Sequence, residues 1–205
     1  EAARLLENGT AAVNADRTIQ YTPVADFFGQ DSFTYLINDG HADSPIIATV
    51  SLTIMPVNDA PTFTLASDPP VVNEDSGTQT VAAFASGMRA GPANESSQSL
   101  TGSTVTQTGS TGGLAFAKAP TIDLVTGNLV YQSAPDSNGT ATFQVVLADI
   151  GLGTPLPNAD TSVAKAFTIT VRPVNDAPTL DAIPNGKVNR GGTFTYQVVA
   201  SDVDG

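Results

Sequence analysis

The chain has no cysteine, no tryptophan, a single histidine, and only 8 basic residues against 20 acidic ones among its 205. Without cysteine no disulfide can staple a small module, and a thiol nucleophile is excluded. One histidine and no thiolate cannot supply the usual ligand set for zinc. His41 follows a glycine-containing turn and reads as an exposed loop residue. The net charge of −12 repels phosphate backbones and anionic headgroups, so nucleic acid and membrane surfaces are poor partners and cations are good ones. No apolar run approaches the roughly 20 residues of a membrane-spanning helix, so no membrane insertion is expected. No signal peptide heads the chain, but the repeat described below puts Glu1 in mid-module, so this says nothing about export.

Helix-period runs are also nearly missing, while glycine, proline, serine and threonine are plentiful and aromatics reach only 6%. Such a chain is all-β or disordered. Disorder is disfavoured because 40% of the residues are apolar and they alternate, giving each strand one face to bury. Residues 18–22 alternate. The run 32–38 places Phe33, Tyr35 and Ile37 on one face, and 49–55 places Val50, Leu52 and Ile54 there. The second copy repeats this with Tyr131, then Phe143, Val145 and Leu147, then Phe167, Ile169 and Val171, and further strands are expected near 71–72, 79–84, 100–107, 114–118 and 129–132. Strands of this length separated by Gly, Asn, Asp and Pro turns predict a β-sandwich.

The hexad Pro56-Val57-Asn58-Asp59-Ala60-Pro61 returns unchanged at Pro173 to Pro178, 117 residues later. Tyr21 and Tyr131, Gly29 and Gly139, Phe33 and Phe143, and Asp39 and Asp149 are each 110 apart. Repetition at fixed spacing means a module copied along a string. The difference of seven falls at 151–158, which reads as a lengthened surface loop. Each hexad proline removes a ladder donor and fixes φ, so the hexads are expected to end one module and start the next. The expected division is therefore 1–60 as the end of one repeat, 61–177 as a whole repeat, and 178–205 as the start of a third.

The hexads, the stretch Gly29 to Tyr35 closing in Asn38-Asp39-Gly40, and Val72-Asn73-Glu74-Asp75-Ser76-Gly77 resemble the cadherin-like tandem repeats of large bacterial surface proteins and adhesins. The resemblance covers essentially the whole chain. Val199-Ala200-Ser201-Asp202-Val203-Asp204-Gly205 is similar to the Ala-Thr-Asp-x-Asp segment at which that family holds calcium. Membership would imply Ig-like sandwiches in a linear array, a secreted or cell-surface location, and a role as extender or adhesive module.

Calcium takes six to eight oxygens from carboxylates, Asn amides and carbonyls. At the first hexad Asn58 and Asp59, with Asp39, Glu74 and Asp75, are the candidate ligands. At the second, Asn175 and Asp176 with Asp149 are expected to meet Asp202 and Asp204. The whole module shows Phe84-Ala85-Ser86-Gly87-Met88-Arg89 where a cadherin would offer paired aspartates, and the internal Asp-Arg-Glu motif of that family has no good match. The alternative reading of these residues is Asx turns that cap their own backbone and need no ion.

No catalytic residues are expected. Glu7, Glu74 and Glu95 lie in turn-like, Gly-rich or Ser-rich settings and read as surface groups rather than a glycosidase pair. Asn8, Asn94 and Asn138 head glycosylation sequons, which in a bacterium are Asn-containing turns. The leading expectation is a non-enzymatic stalk whose partners are neighbouring repeats of the same chain, with calcium-braced junctions. The alternative is a carbohydrate-binding module of a secreted polysaccharide-active protein, for which Phe27-Phe28 is the one candidate aromatic platform on a surface glycan. Homotypic adhesion to a second array is a third class.

Overall fold

In the computed structural model, described for residues 2–4, 7–153, 155 and 157–203, the protein is all-β. The strands are β1 (Ala2–Arg4), β2 (Gly9–Val13), β3 (Ile19–Pro23), β4 (Gly29–Leu36), β5 (Ala48–Ile54), β6 (Thr62–Leu65), β7 (Val72–Asn73), β8 (Gln79–Val81), β9 (Ala85–Arg89), β10 (Leu100–Thr111), β11 (Phe116–Ile122), β12 (Leu129–Ser133), β13 (Gly139–Asp149), β14 (Lys165–Arg172), β15 (Thr179–Leu180) and β16 (Ala200–Ser201). A single 3-10 turn covers Ala93–Glu95. Contacts group the chain into two compact units. One comprises Glu1–Thr64, Gly87–Ser103 and Val146–Ala164, and the other Leu65–Ser86, Thr104–Val145 and Lys165–Gly205.

In the first unit β4 pairs with β5 and β1, both antiparallel, and β2 forms a hairpin with β3. Alternation along β4 and β5 is visible in the burial, but only Phe33 among residues 7–57 is a buried apolar side chain. Tyr21 of β3 stacks on it with ring centroids 6.3 Å apart. Ile37, expected on the core face, lies beyond the end of β4 and is 60% exposed.

The second unit is a sandwich of the sheets β10-β13-β14-β7 and β11-β12-β8, and β10 and β13 continue past its boundary. Alternating residues of β12, β13 and β14 point inward. Leu129, Tyr131, Phe143, Val145, Phe167, Ile169 and Val171 are each at most 3% exposed. Aromatic rings join the sheets: Phe116 packs edge-on against Tyr131 and Phe143, and Phe143 stacks on Phe167 at 5.2 Å. Each fully buried aliphatic or aromatic side chain contributes about 1.5–3 kcal/mol, so this cluster is the main source of stability. The antiparallel β13–β14 ladder runs in unbroken register from Gly139↔Val171 to Val145↔Lys165. Outside it, β7 pairs in parallel with the end of β14.

Candidate functional site

The two hexads deliver their polar residues into two separate clusters of oxygen atoms. The first lies wholly within the first unit. Asn58, although in a proline-bracketed linker, is 7% exposed because four polar contacts hold it. Its N–H donates to Asn158 Oδ1 at 2.8 Å, its Nδ2 donates to Ala159 O at 2.6 Å and to Asp149 Oδ1 at 3.3 Å, and its carbonyl accepts from Ala159 N at 2.8 Å. Gly151 packs so closely that a Cβ there would collide with the Asn58 amide. Gly151 N also donates to Asp149 Oδ1 at 2.7 Å. Asn58 Oδ1 and Asp149 Oδ2 remain buried acceptors that receive no hydrogen bond.

Beside them is Glu95, also 7% exposed, whose two oxygens accept the Asp59 N–H at 3.1 and 3.3 Å. Burial pushes its carboxyl above the ordinary range. The Asp59 N–H opposes that rise, and the charges of Asp59 and Asp149 reinforce it. Buried oxygens without donors, next to a carboxylate that resists ionisation, form a donor set suited to a hard cation.

The second cluster lies wholly within the second unit. Carboxylate oxygens of Asp75, Asp136 and Asp176 all fall within 4.8 Å of one another. Asp75 and Asp136 both occupy the left-handed region, with φ of 58° and 52°, and the Asp136 N–H donates to Asp75 Oδ1 at 3.3 Å. Left-handed backbone is sparsely populated by non-glycine residues and collects at ligand clamps. Glu74, 3% exposed, ties this cluster to the hexad: it accepts Val174 N–H at 2.7 Å and the Asn138 amide at 3.2 Å. Three carboxylates so close repel one another unless protonated or bridged by positive charge.

The expected ligands are thus regrouped. Asn58 and Asp59 are brought to Asp149 and Glu95, whereas Glu74 and Asp75 are brought to Asp136, Asn138 and Asp176. Asp39 is engaged in its own turn, accepting His41 and Ala42 N–H at 2.9 and 3.0 Å, and these two bonds hold its carboxyl below the ordinary range, Ala42 contributing more. Asn175 turns its amide to the Asp176 carbonyl, Asp202 is exposed, and Asp204 lies outside the described residues. Sequence reasoning missed Glu95, Asp136, Asn138 and Asn158. Asp136 had a signal: it stands 110 residues after Asp26, and Asp26 has the same left-handed backbone at φ 62°. Asn158 lay in the inserted loop, which does more than lengthen the surface.

A separate cavity of about 230 Å³ in the first unit is lined by Val24, Asp26, Phe27, Phe28, Met55 and Asn94 among others. Phe28 is 47% exposed there, and the Asn94 amide donates to the Asp26 carbonyl at 2.9 Å.

Residues 2–53 match the family model described as bacterial Ig domain. No curated protein is matched by the chain. No solved structure is matched by it either. Among the described residues no helix is long and apolar enough to cross a membrane, which does not bear on strands.

Proposed function

We propose that this chain is a non-enzymatic extender of a large secreted or cell-surface bacterial protein, built from cadherin-like tandem repeats whose hexad linkers are braced by calcium. The observation that carries this reading is the convergence of Asp75, Asp136 and Asp176 oxygens within 4.8 Å. A divalent cation there would offset the mutual repulsion of the three carboxylates and tie the hexad to the body of its module. Asp136 and Asp75 would supply oxygens from the module, and Asp176 one from the linker. Glu74 orients the set by gripping Val174 N–H and Asn138. At the first hexad the unfilled acceptors Asn58 Oδ1 and Asp149 Oδ2, with Glu95, fit the same kind of ion. The physical role is stiffening: binding to both linker and module disfavours conformations in which the linker swings free. Bacterial Ig similarity over residues 2–53 supports a structural rather than catalytic module.

The test is thermal unfolding with calcium and with chelator. Extracellular calcium modules dissociate at roughly 10⁻⁴ to 10⁻³ M. At about ten times the lower of these constants, which is millimolar calcium, one site stabilises by about 1.4 kcal/mol. Wild type should therefore gain melting temperature at millimolar calcium, and Asp176→Ala should lose much of that gain. An unmoved midpoint in wild type would rule out both sites.

Phe28 favours a second reading, a glycan site at the 230 Å³ cavity. Its exposed ring could stack on a pyranose face while Asn94 and Asp26 meet hydroxyls. Binding on a glycan array that Phe28→Ala abolishes would support it, and an array without hits would reject it.

A further inference from the structure

The sheet edges of natural proteins are usually blunted by shortness, charge, proline or bulges, because an open row of N–H and C=O groups templates another strand. Three of the four edges in the second unit's sandwich carry such a device. Strands β7 and β8 are two and three residues long. Strand β11 contains Lys118 and Pro120 and has two register shifts against β12. The fourth edge, β10, is different. It is twelve residues long, closes the sheet β10-β13-β14-β7, and lies in the longest uncharged run of the chain, residues 96–117, which also lacks proline. Its residues 106–111 are exposed on both faces.

We propose that the outer edge of β10, from Thr104 to Thr108, pairs antiparallel with the same edge of a second copy of this chain, continuing the sheet across a twofold axis. Two observations select a second copy as the occupant. The first is charge: copies carrying −12 repel over most of their surfaces, and this uncharged edge is where their approach is opposed least. The second is side-chain matching. Antiparallel pairing centred on Thr106 places Thr104 opposite Thr108 and Thr106 opposite its own copy. Threonine pairs of this kind already form on the other side of β10, where Thr108 Oγ1 lies 3.1 Å from Thr142 Oγ1 and Thr111 Oγ1 lies 2.6 Å from Thr140 Oγ1. Opposed threonines stabilise strand pairs, whereas like charges directly opposite destabilise them. A twofold pairing uses each edge once, so it closes as a dimer. The proposal goes beyond the calcium reading and does not rest on it.

Sedimentation velocity across a wide concentration range, in calcium and in chelator, tests it. Wild type should shift from monomer to dimer equally in both buffers. Thr106→Lys should weaken the dimer about tenfold or more through the apposed charges, without lowering the melting temperature at concentrations where both chains are monomeric. Mixing Thr106→Lys with Thr106→Glu chains should restore it. Should Thr106→Lys prove unstable, chains carrying Thr104→Lys with Thr108→Lys and chains carrying Thr104→Glu with Thr108→Glu serve as the pair, since each residue 104 faces residue 108 of the other copy. Wild type that stays monomeric, a lysine variant that dimerises as tightly as wild type, or a dimer seen only with calcium would each overturn the proposal.

Discussion

Tyr21 and Tyr131 stand 110 residues apart but differ in what their hydroxyls meet. Tyr21 donates to Asp31 Oδ2 at 2.7 Å, whereas position 141, the counterpart of Asp31, is alanine and leaves the Tyr131 hydroxyl buried with no partner. Tyr131→Phe should therefore leave stability unchanged or raise it by up to ~1 kcal/mol, while Tyr21→Phe should lower the melting temperature. Denaturant unfolding of both variants checks the contrast. Desolvation, aided by the Asp31 carboxylate, pushes the Tyr21 hydroxyl up to about 12. Because the folded value is raised, this contribution is complete below pH 10 and is lost as pH rises through about 12. Glu95 follows the same sign at acid pH. Its raised carboxyl favours the fold below about 4.5, and that contribution fades as pH climbs past the folded value. In chelator Glu95→Gln should raise the melting temperature at pH 7, with the gain shrinking toward pH 4. In millimolar calcium it should reduce the calcium gain. A pH series of melting curves reads both. In the sequence the Asn and Asp of each hexad stood out, but their partners did not. Asn58 meets residues up to 101 positions away, and no spacing rule couples a linker to a loop at that distance.

At the scale of elements, the repeat period carried real structural information. Gly29 and Gly139, 110 apart, have φ of 126° and 125°, and each opens a strand with a neighbour on both sides. Their surroundings differ. A Cβ on Gly139 would run into Thr111 O, whereas on Gly29 the nearest neighbour would be the Phe27 ring at 3.8 Å. Gly139→Ala should cost roughly 1–3 kcal/mol or more, and Gly29→Ala less, as urea unfolding would show. Alternation found β4, β5, β12, β13 and β14 to within a few residues, since each turns every second side chain inward, fully buried in much of β12 to β14 and mostly half-buried in β4 and β5. The strand expected at 79–84 ends at Val81 as β8, because Ala83 adopts left-handed backbone at φ 49° and breaks the run before β9 begins at Ala85. Strand β10 extends to Thr111, past the expected 107, because its serine, threonine and glycine tail pairs by main chain and hydroxyl contacts that composition reads as a turn. Strand β3 was expected at 18–22, but its hairpin partner β2 and strand β6 gave no clear period and were not foreseen.

Across the molecule, buried apolar mass is unevenly shared. The side chains at most 3% exposed in β12, β13 and β14 have no equal in β2 to β5, where Phe33 alone is buried. Regions with few buried contacts open at lower free energy. Hydrogen exchange should therefore release the β4–β5 amides well before those of β13–β14. Simultaneous exchange of both ladders would show that one cooperative unit spans them. The parallel pairing of β7 with β14 would carry a mechanical meaning in the proposed extender. The segment entering this sandwich and the segment leaving it run side by side in the same direction, Val72 against Val171 and Asn73 against Arg172, with Glu74 N–H on the Arg172 carbonyl at 3.0 Å. Tension applied at the two ends would slide these strands past each other, so their bonds would share the force and rupture together instead of unzipping singly.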